Sequence, residues 1–293
     1  MDPDDRANFY KTLWGHSNLK PYDEQREAEV TQRRFGPAIP YIETRVQSLK
    51  SIDQRLKVLD FGCADGFTAE QILTPVRDRV EYLASDLFSL DETSQRMRER
   101  GFSTEVSVGG VDQLPDHWRE VDVVLALSCF QYIEDTAATF GELAGRLSRG
   151  GIFVGYFYDA SPLRRISDSY LRDAVGTPGS GIEDLKPLAR LLGSLRDATE
   201  GRDITVHEEV PELAVPIGTM PLQQFIIDYV LFAWAPGGAE TVRIQWALAE
   251  LLLTESHTYL GPGELDRLLS WNGLNLLERV SGSSGHLVIA EKT

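Results

Sequence analysis

Cysteine is scarce. Cys63 and Cys129 are the only two in 293 residues, and they form neither a CxxC pair nor a cluster with histidine at metal-ligand spacing. That pattern argues against a disulfide framework and against a metal site, so two reduced thiols are expected, each at the end of a strand-like run. Long apolar runs are missing too: none approaches the ~18 residues that a membrane span needs. The opening Met1-Asp2-Pro3-Asp4-Asp5 is acidic where a secretory signal would be basic. A soluble, cytoplasmic protein without membrane partners is the expectation. Positive charge is in short supply, with a formal net charge of -16 at pH 7. A chain this acidic repels polyphosphate overall, which argues against DNA and disfavours RNA as a partner. Internal repeats and low-complexity tracts are absent.

What is present is a well-apolar chain, 42% hydrophobic, with enough residues to bury a sizeable core unaided. From Lys57 onward strands and helices alternate: strand "KVLDF", helix 67–73, strand 80–85, helix 91–100, strands 103–108 and 121–127, helix 135–147 and strand 152–157. Strands that are apolar almost throughout, separated by helices, predict a parallel sheet covered on both faces. After Asp159 the rhythm breaks into mainly helical text. It returns at helix 263–271 and two closing strands, 274–280 and 286–292, joined by a hairpin-length loop. The expected organisation is an N-terminal helical segment over 1–50, a core formed by 51–159 and 259–293, and a helical insertion over 160–258.

The stretch "KVLDFGCADGFTAE" stops an apolar strand at a glycine-spaced turn and restarts as a helix. In an open parallel sheet, ligands bind beyond the carboxyl ends of the strands, at such turns. A phosphate loop requires Gly-Lys-Ser/Thr, and Gly66-Phe67-Thr68 has no lysine. A dinucleotide fingerprint requires a second glycine where Ala64 stands, so close approach of a pyrophosphate is disfavoured. Asp60-x-Gly62-Cys63-x-x-Gly66 remains, a turn that needs no phosphate.

"VLDFGCADG" resembles the first motif of class I S-adenosylmethionine-dependent methyltransferases. Ser85-Asp86 at the next strand end, "VDVVLALSCFQYIED" and "LAGRLSRGGIFVGYF" resemble later motifs of that family in the same order, and the closing hairpin resembles its last two strands. The resemblance covers roughly residues 50–158 and 260–293. It implies an α/β fold, a Rossmann-like doubly wound seven-stranded sheet ending in an antiparallel C-terminal hairpin, here carrying a mainly helical insertion. It also implies S-adenosylmethionine as cofactor, contacted by Tyr10, Gly62, Cys63, Ala64, Gly66, Asp86, Leu87, Val111, Asp112 and Ser128. In that scheme the Asp86 carboxylate accepts hydrogen bonds from both ribose hydroxyls. Two departures stand out: Gly110-Val111 replaces an Asp-Ala pair that meets adenine in many relatives, leaving Asp112 or the Val111 amide for that role, and Gln131-Tyr132 replaces a frequent His-His.

Methyl transfer is an in-line displacement, and much of its catalysis comes from holding the acceptor about 3 Å from the methyl carbon in a dry site. A general base is needed only for an acceptor that arrives protonated. The candidate catalytic groups are His16 and Tyr22 in the N-terminal segment, Tyr158 after the fifth strand, and His257 at the end of the insertion. Tyr10 and Trp14 either line a lid or dock a helix on the core. Arg33 or Arg34 is a candidate partner for the cofactor's carboxylate. His117, His207 and His286 are weaker candidates.

In the insertion, "TMPLQQFIIDYVLFAWAPGG" reads as a helix apolar over much of its surface, from Met220 through Phe225, Ile226, Tyr229 and Phe232 to Trp234. Core packing, a homodimer interface and a wall around an apolar acceptor remain open. A cap of this size encloses a discrete molecule better than a polymer, and a small-molecule acceptor is expected: a secondary-metabolite intermediate, a sugar or a lipid-like compound. Competing readings are an RNA cap guanine methyltransferase-like enzyme, suggested by "GGIFVGYFYDASPLRRI", an inactive cofactor-binding partner or regulatory subunit, and methylation coupled to rearrangement in an apolar pocket.

Overall fold

The computed structural model describes residues 24–87, 90–133, 135–158, 194–195, 198–209, 215, 217–226, 260–282 and 285–293. They fall into two compact units, one containing the described residues up to 158 and from 260 onward, the other those from 194 to 226.

The first unit opens with helices α1 (Glu24–Phe35) and α2 (Ile39–Gln47), joined by a 3-10 turn at Gly36–Ala38. Pro37 and Pro40 are the second residues of that turn and of α2, within the first turn where a missing N–H costs nothing. Then follow β1 (Leu56–Phe61), α3 (Phe67–Leu73), β2 (Val80–Asp86), α4 (Asp91–Glu99), β3 (Ser103–Val108), β4 (Val121–Leu127), α5 (Thr136–Arg146) and β5 (Leu147–Tyr158). Helix α7 (Pro262–Trp271) and strands β8 (Leu274–Ser281) and β9 (Gly285–Lys292) close the unit.

Seven of these strands form one sheet in the order β3-β2-β1-β4-β5-β9-β8. The first four pairings in that order are parallel, and β9 runs antiparallel to both β5 and β8. Alternate residues of each central strand enter opposite cores, as the period of two requires. Val58, Tyr82, Val123, Val154 and Ile289 pack with Phe35 and Ile42 from the N-terminal helices, Ile72 of α3 and Met97 of α4. Their neighbours Leu59, Leu83, Val124, Phe153 and Val288 pack with Phe140 of α5, Leu265 and Leu269 of α7, and Trp118. Helices therefore cover both faces, and all but one residue of β1 is buried. The predicted elements of the core appear within a few residues of their expected ends, and β5 begins earlier, at Leu147.

The described residues of the second unit add strands to the expected helices. Its described residues include an antiparallel hairpin, β6 (Asp203–Val206) with β7 (Gly218–Pro221), followed by the single turn α6 (Leu222–Phe225). Met220 lies in β7, opposite Ile204, and is no part of a helix. Tyr229, Phe232 and Trp234 lie outside the described residues.

Candidate functional site

The turn after β1 is held by a dense set of backbone bonds. Gly62 and Cys63 both donate their amides to the Ser85 carbonyl, at 2.8 and 3.2 Å, and Gly66 N–H donates to the Cys63 carbonyl at 2.9 Å. Three residues of this short turn have positive φ: Gly62 at 69°, Ala64 at 50° and Gly66 at 76°. The left-handed region costs an L-residue roughly 1–2 kcal/mol, which glycine avoids and Ala64 does not. Ala64 is compensated: its N–H donates to Asp86 Oδ2 at 2.8 Å and its carbonyl accepts from Thr93 Oγ1 at 2.6 Å.

Both glycines are demanded by the protein itself. A Cβ on Gly62 would fall 2.5 Å from the Cys129 Cβ, and one on Gly66 3.0 Å from the Thr93 methyl. The space a side chain would need at these two positions is filled by Cys129 and Thr93. Gly62→Ala is accordingly expected to lose about 2 kcal/mol of folding stability, from overpacking and the left-handed backbone together. A denaturant titration checks this; an unchanged midpoint would refute the close packing.

Asp86 ends β2 and is half-buried. Its Oδ2 takes the Ala64 amide, and its Oδ1 takes the Leu87 amide at 2.7 Å. Each carboxylate oxygen has two lone-pair sites, so one acceptor position per oxygen remains. Two vicinal hydroxyls are the natural match for such a pair. Desolvation raises Asp86 from 3.8 to about 6, against the lowering effect of the two amides. Below the turn, Asp60 is buried and accepts a 2.6 Å hydrogen bond from the Tyr82 hydroxyl. Burial is the main cause that lifts its pKa from 3.8 to about 7; the Tyr82 hydrogen bond works against the rise, and the Asp86 charge adds to it.

The structure brings the remaining core candidates to the same edge. Gly109 N–H donates to the Asp86 carbonyl at 2.8 Å, and Ser85 Oγ donates to the Gly109 carbonyl at 3.1 Å. These bonds seat the segment leading into the 3-10 turn Val111–Gln113 beside Asp86. Val111 is half-buried there and Asp112 is exposed.

After β4, Ser128 adopts φ 64° and accepts a 2.7 Å bond on its carbonyl from Gln131 Nε2. The 3-10 turn Phe130–Tyr132 that follows is pinned by Phe130, whose ring lies 4.9 Å from Phe157 and 5.8 Å from Phe140. Cys63 and Cys129 are free, as expected. Burial is the largest cause raising both thiols, which makes neither a nucleophile.

Tyr158 is the last residue of β5, half-buried, with its ring 5.1 Å from that of Tyr156. Its carbonyl accepts from the Leu260 amide at 3.1 Å. Tyr10, His16, Tyr22 and His257 lie outside the described residues. Of the two arginines, Arg33 is exposed, whereas Arg34 is half-buried with its guanidinium 5.0 Å from the Tyr156 ring centroid. His117 pairs with Glu105 at the surface, His207 is exposed, and buried His286 meets Ser281.

Sequence reasoning missed Thr93 and Tyr82. Each is an ordinary residue in an ordinary helix or strand, and its role arises only when the chain folds it against the turn. A faint signal exists for Thr93: with Leu90, Ser94 and Met97 it makes the buried stripe of an otherwise charged helix.

Residues 59–153 match the family model of a methyltransferase domain. This segment runs from β1 into β5 and contains the glycine turn, Asp86 and the Ser128 turn. No curated protein matches the sequence. Among solved structures, magnesium protoporphyrin IX methyltransferase from Synechocystis PCC 6803, with bound S-adenosylhomocysteine, is similar with a TM-score of 0.52 at 13% identity, over 98% of this chain and 93% of that one. The 1,6-didemethyltoxoflavin-N1-methyltransferase of Burkholderia thailandensis is similar with a TM-score of 0.50 at 12% identity, over 100% of this chain and 91% of that one. These likenesses show the fold, a Rossmann-like α/β sheet, and the matched segment is similar to a methyltransferase domain.

Proposed function

We propose that the protein transfers the methyl group of S-adenosylmethionine to an oxygen, nitrogen or carbon of a small molecule. One observation carries the cofactor's place: at the carboxyl edge of the sheet, Asp86 offers one remaining acceptor position on each oxygen, 2.8 Å from the backbone of the strained turn. The adenosine ribose is placed on that carboxylate and the methionine end along Gly62–Gly66. The Gly109–Asp112 segment, tied to β2, is then the nearest wall for adenine. Backbone and packing do the positioning in this arrangement, and the described residues at the edge supply no imidazole beyond buried His286. Catalysis by alignment and water exclusion fits that composition.

A small acceptor is supported by charge: at -16 the chain disfavours a nucleic-acid substrate. The two structural relatives named above are methyltransferases of a porphyrin and of a toxoflavin precursor, which is the same kind of acceptor. Within that class a secondary-metabolite intermediate, a sugar or a lipid-like compound is the finer proposal.

Calorimetric titration with S-adenosylmethionine and S-adenosylhomocysteine, with NAD as control, tests the cofactor. Micromolar binding of the adenosyl compounds alone is expected, and binding of NAD in their place would overturn the assignment. Methyl transfer from labelled cofactor across a panel of small apolar acceptors, with capped RNA as a separate arm, then tests the acceptor class.

Arg34 gives a narrower test. Its guanidinium, laid on Tyr156 near the carboxyl end of β5, supports the reading of Arg34 as the partner of the methionine carboxylate. Arg34→Gln is expected to weaken S-adenosylhomocysteine about tenfold and to leave 5′-methylthioadenosine, which lacks that carboxylate, unchanged. Equal losses for both ligands in the titration would assign Arg34 to packing alone.

A further inference from the structure

Ala64 is the strained residue of the turn, and Asp86 accounts for only one of its two backbone groups. The other is its carbonyl, held by the Thr93 hydroxyl at 2.6 Å; among the described residues the one additional donor to it is the weak Cys63 thiol at 3.7 Å. Thr93 is 1% exposed, in the first turn of α4, on the segment that follows Asp86. Its methyl also occupies the space a Gly66 side chain would need, at 3.0 Å. One side chain therefore grips the turn twice, by a hydrogen bond to Ala64 and by contact with Gly66. Together with Asp86 it holds both peptide groups that flank the Ala64 Cα.

From this geometry we infer that Thr93 is a positioning residue for the cofactor: its hydroxyl fixes the Ala64–Gly66 backbone in the shape that receives the methionine end, without touching the ligand. This inference rests on the cofactor reading given above. The rest of the α3–α4 contact serves the same end. Glu70 of α3, almost fully buried, pairs with Arg100 at 2.8 Å and with Arg96 at 3.4 Å, and Arg96 lies over the Phe67 ring. Those bonds dock helix against helix and Arg96 also meets the Asp65 side chain at 3.5 Å, whereas of the described α3 and α4 side chains it is Thr93 that bonds the turn's own backbone.

Two isosteric halves of threonine separate the hydroxyl from the methyl. In Thr93→Val a methyl replaces the hydroxyl and cannot approach a carbonyl oxygen to 2.6 Å, so the turn must shift; in Thr93→Ser the hydroxyl stays. Calorimetry at a temperature where both variants remain native should show S-adenosylhomocysteine weakened about tenfold or more by Thr93→Val and within about twofold of wild type for Thr93→Ser. Amide hydrogen exchange at Ala64 and Gly66 in the unliganded protein should quicken in the valine variant alone. Wild-type affinity and exchange in Thr93→Val would overturn the inference, and so would equal loss in both variants. If the valine variant does not fold, Thr93→Ser decides, because a tenfold loss with the hydroxyl kept would place the effect in packing. Absence of binding by the wild-type protein would instead count against the cofactor reading, and the exchange data would then judge Thr93 separately.

Discussion

Asp86→Ala is expected to weaken S-adenosylhomocysteine binding about 100-fold. The carboxylate accepts two backbone amides and has one acceptor position left on each oxygen. Hydrogen bonds to a charged group contribute about 1.5–3 kcal/mol each, so losing two to the ribose accounts for two orders of magnitude or more. Alanine also strips the partner from the Ala64 amide, in a residue already at φ 50°, and this loosens the turn that receives the other end of the ligand. Asp86→Asn separates these effects. Its amide keeps the size and one acceptor oxygen but presents a donor where the other oxygen stood, so an intermediate loss of about tenfold is expected. Calorimetry on both variants, with thermal denaturation to establish that each is folded, makes the measurement. A dissociation constant within twofold of wild type for folded Asp86→Ala would mean that the ribose lies elsewhere.

The same residue shows how far the sequence could be read. Asp86 was visible because a carboxylate at a strand end, one strand beyond a glycine turn, has a position that topology makes meaningful. The parallel core was visible because its central strands β1, β2, β4 and β5 are buried on both faces and spell near-continuous apolar runs. Strand β6 shows the opposite case: it has four residues, and its partner "GTMP" contains both glycine and proline and does not alternate. The pairing of Ile204 with Met220 carries that hairpin, and local propensity gives little sign of it. The reason for Gly62 was hidden in another way. Glycine there answers Cys129, which the fold brings in from the end of β4, so the need for it arises between strands and has no trace in "FGCADG". Thr93 and Tyr82 belong with it, since their partners Ala64 and Asp60 sit on a different strand-to-turn connection.

The second large effect concerns Asp60 and runs against ordinary acid denaturation. Its pKa is raised from 3.8 to about 7, chiefly by burial. A carboxyl whose folded pKa exceeds its unfolded value binds more protons when folded, so its contribution to stability is fully present below about pH 4 and is lost as pH rises through about 7. The shift of roughly 3 units corresponds to about 4 kcal/mol at most. Asp60→Asn removes the titration while keeping an acceptor for the Tyr82 hydroxyl. The variant should therefore gain about 2–4 kcal/mol over wild type at pH 8 and show a flatter profile between pH 4 and 7, measured by denaturant unfolding at each pH. A wild-type protein whose stability does not fall over that interval would refute the buried acid.

Asp86 shares the sign, with its value raised to about 6, yet its ligand demands the ionised form, because a protonated oxygen surrenders an acceptor position. Cofactor affinity should consequently fall as pH drops below about 6, in the range where these two acids favour the folded chain. S-adenosylmethionine brings a sulfonium and an ammonium to a turn flanked by Asp60 and Asp86, and a cation there favours both carboxylates in their charged state. Binding should release protons between about pH 6 and 7, more for S-adenosylmethionine than for S-adenosylhomocysteine, whose sulfur is neutral. Titrations in buffers of different ionisation enthalpy would count those protons. Equal counts for the two ligands would mean that the sulfur sits beyond the reach of both acids.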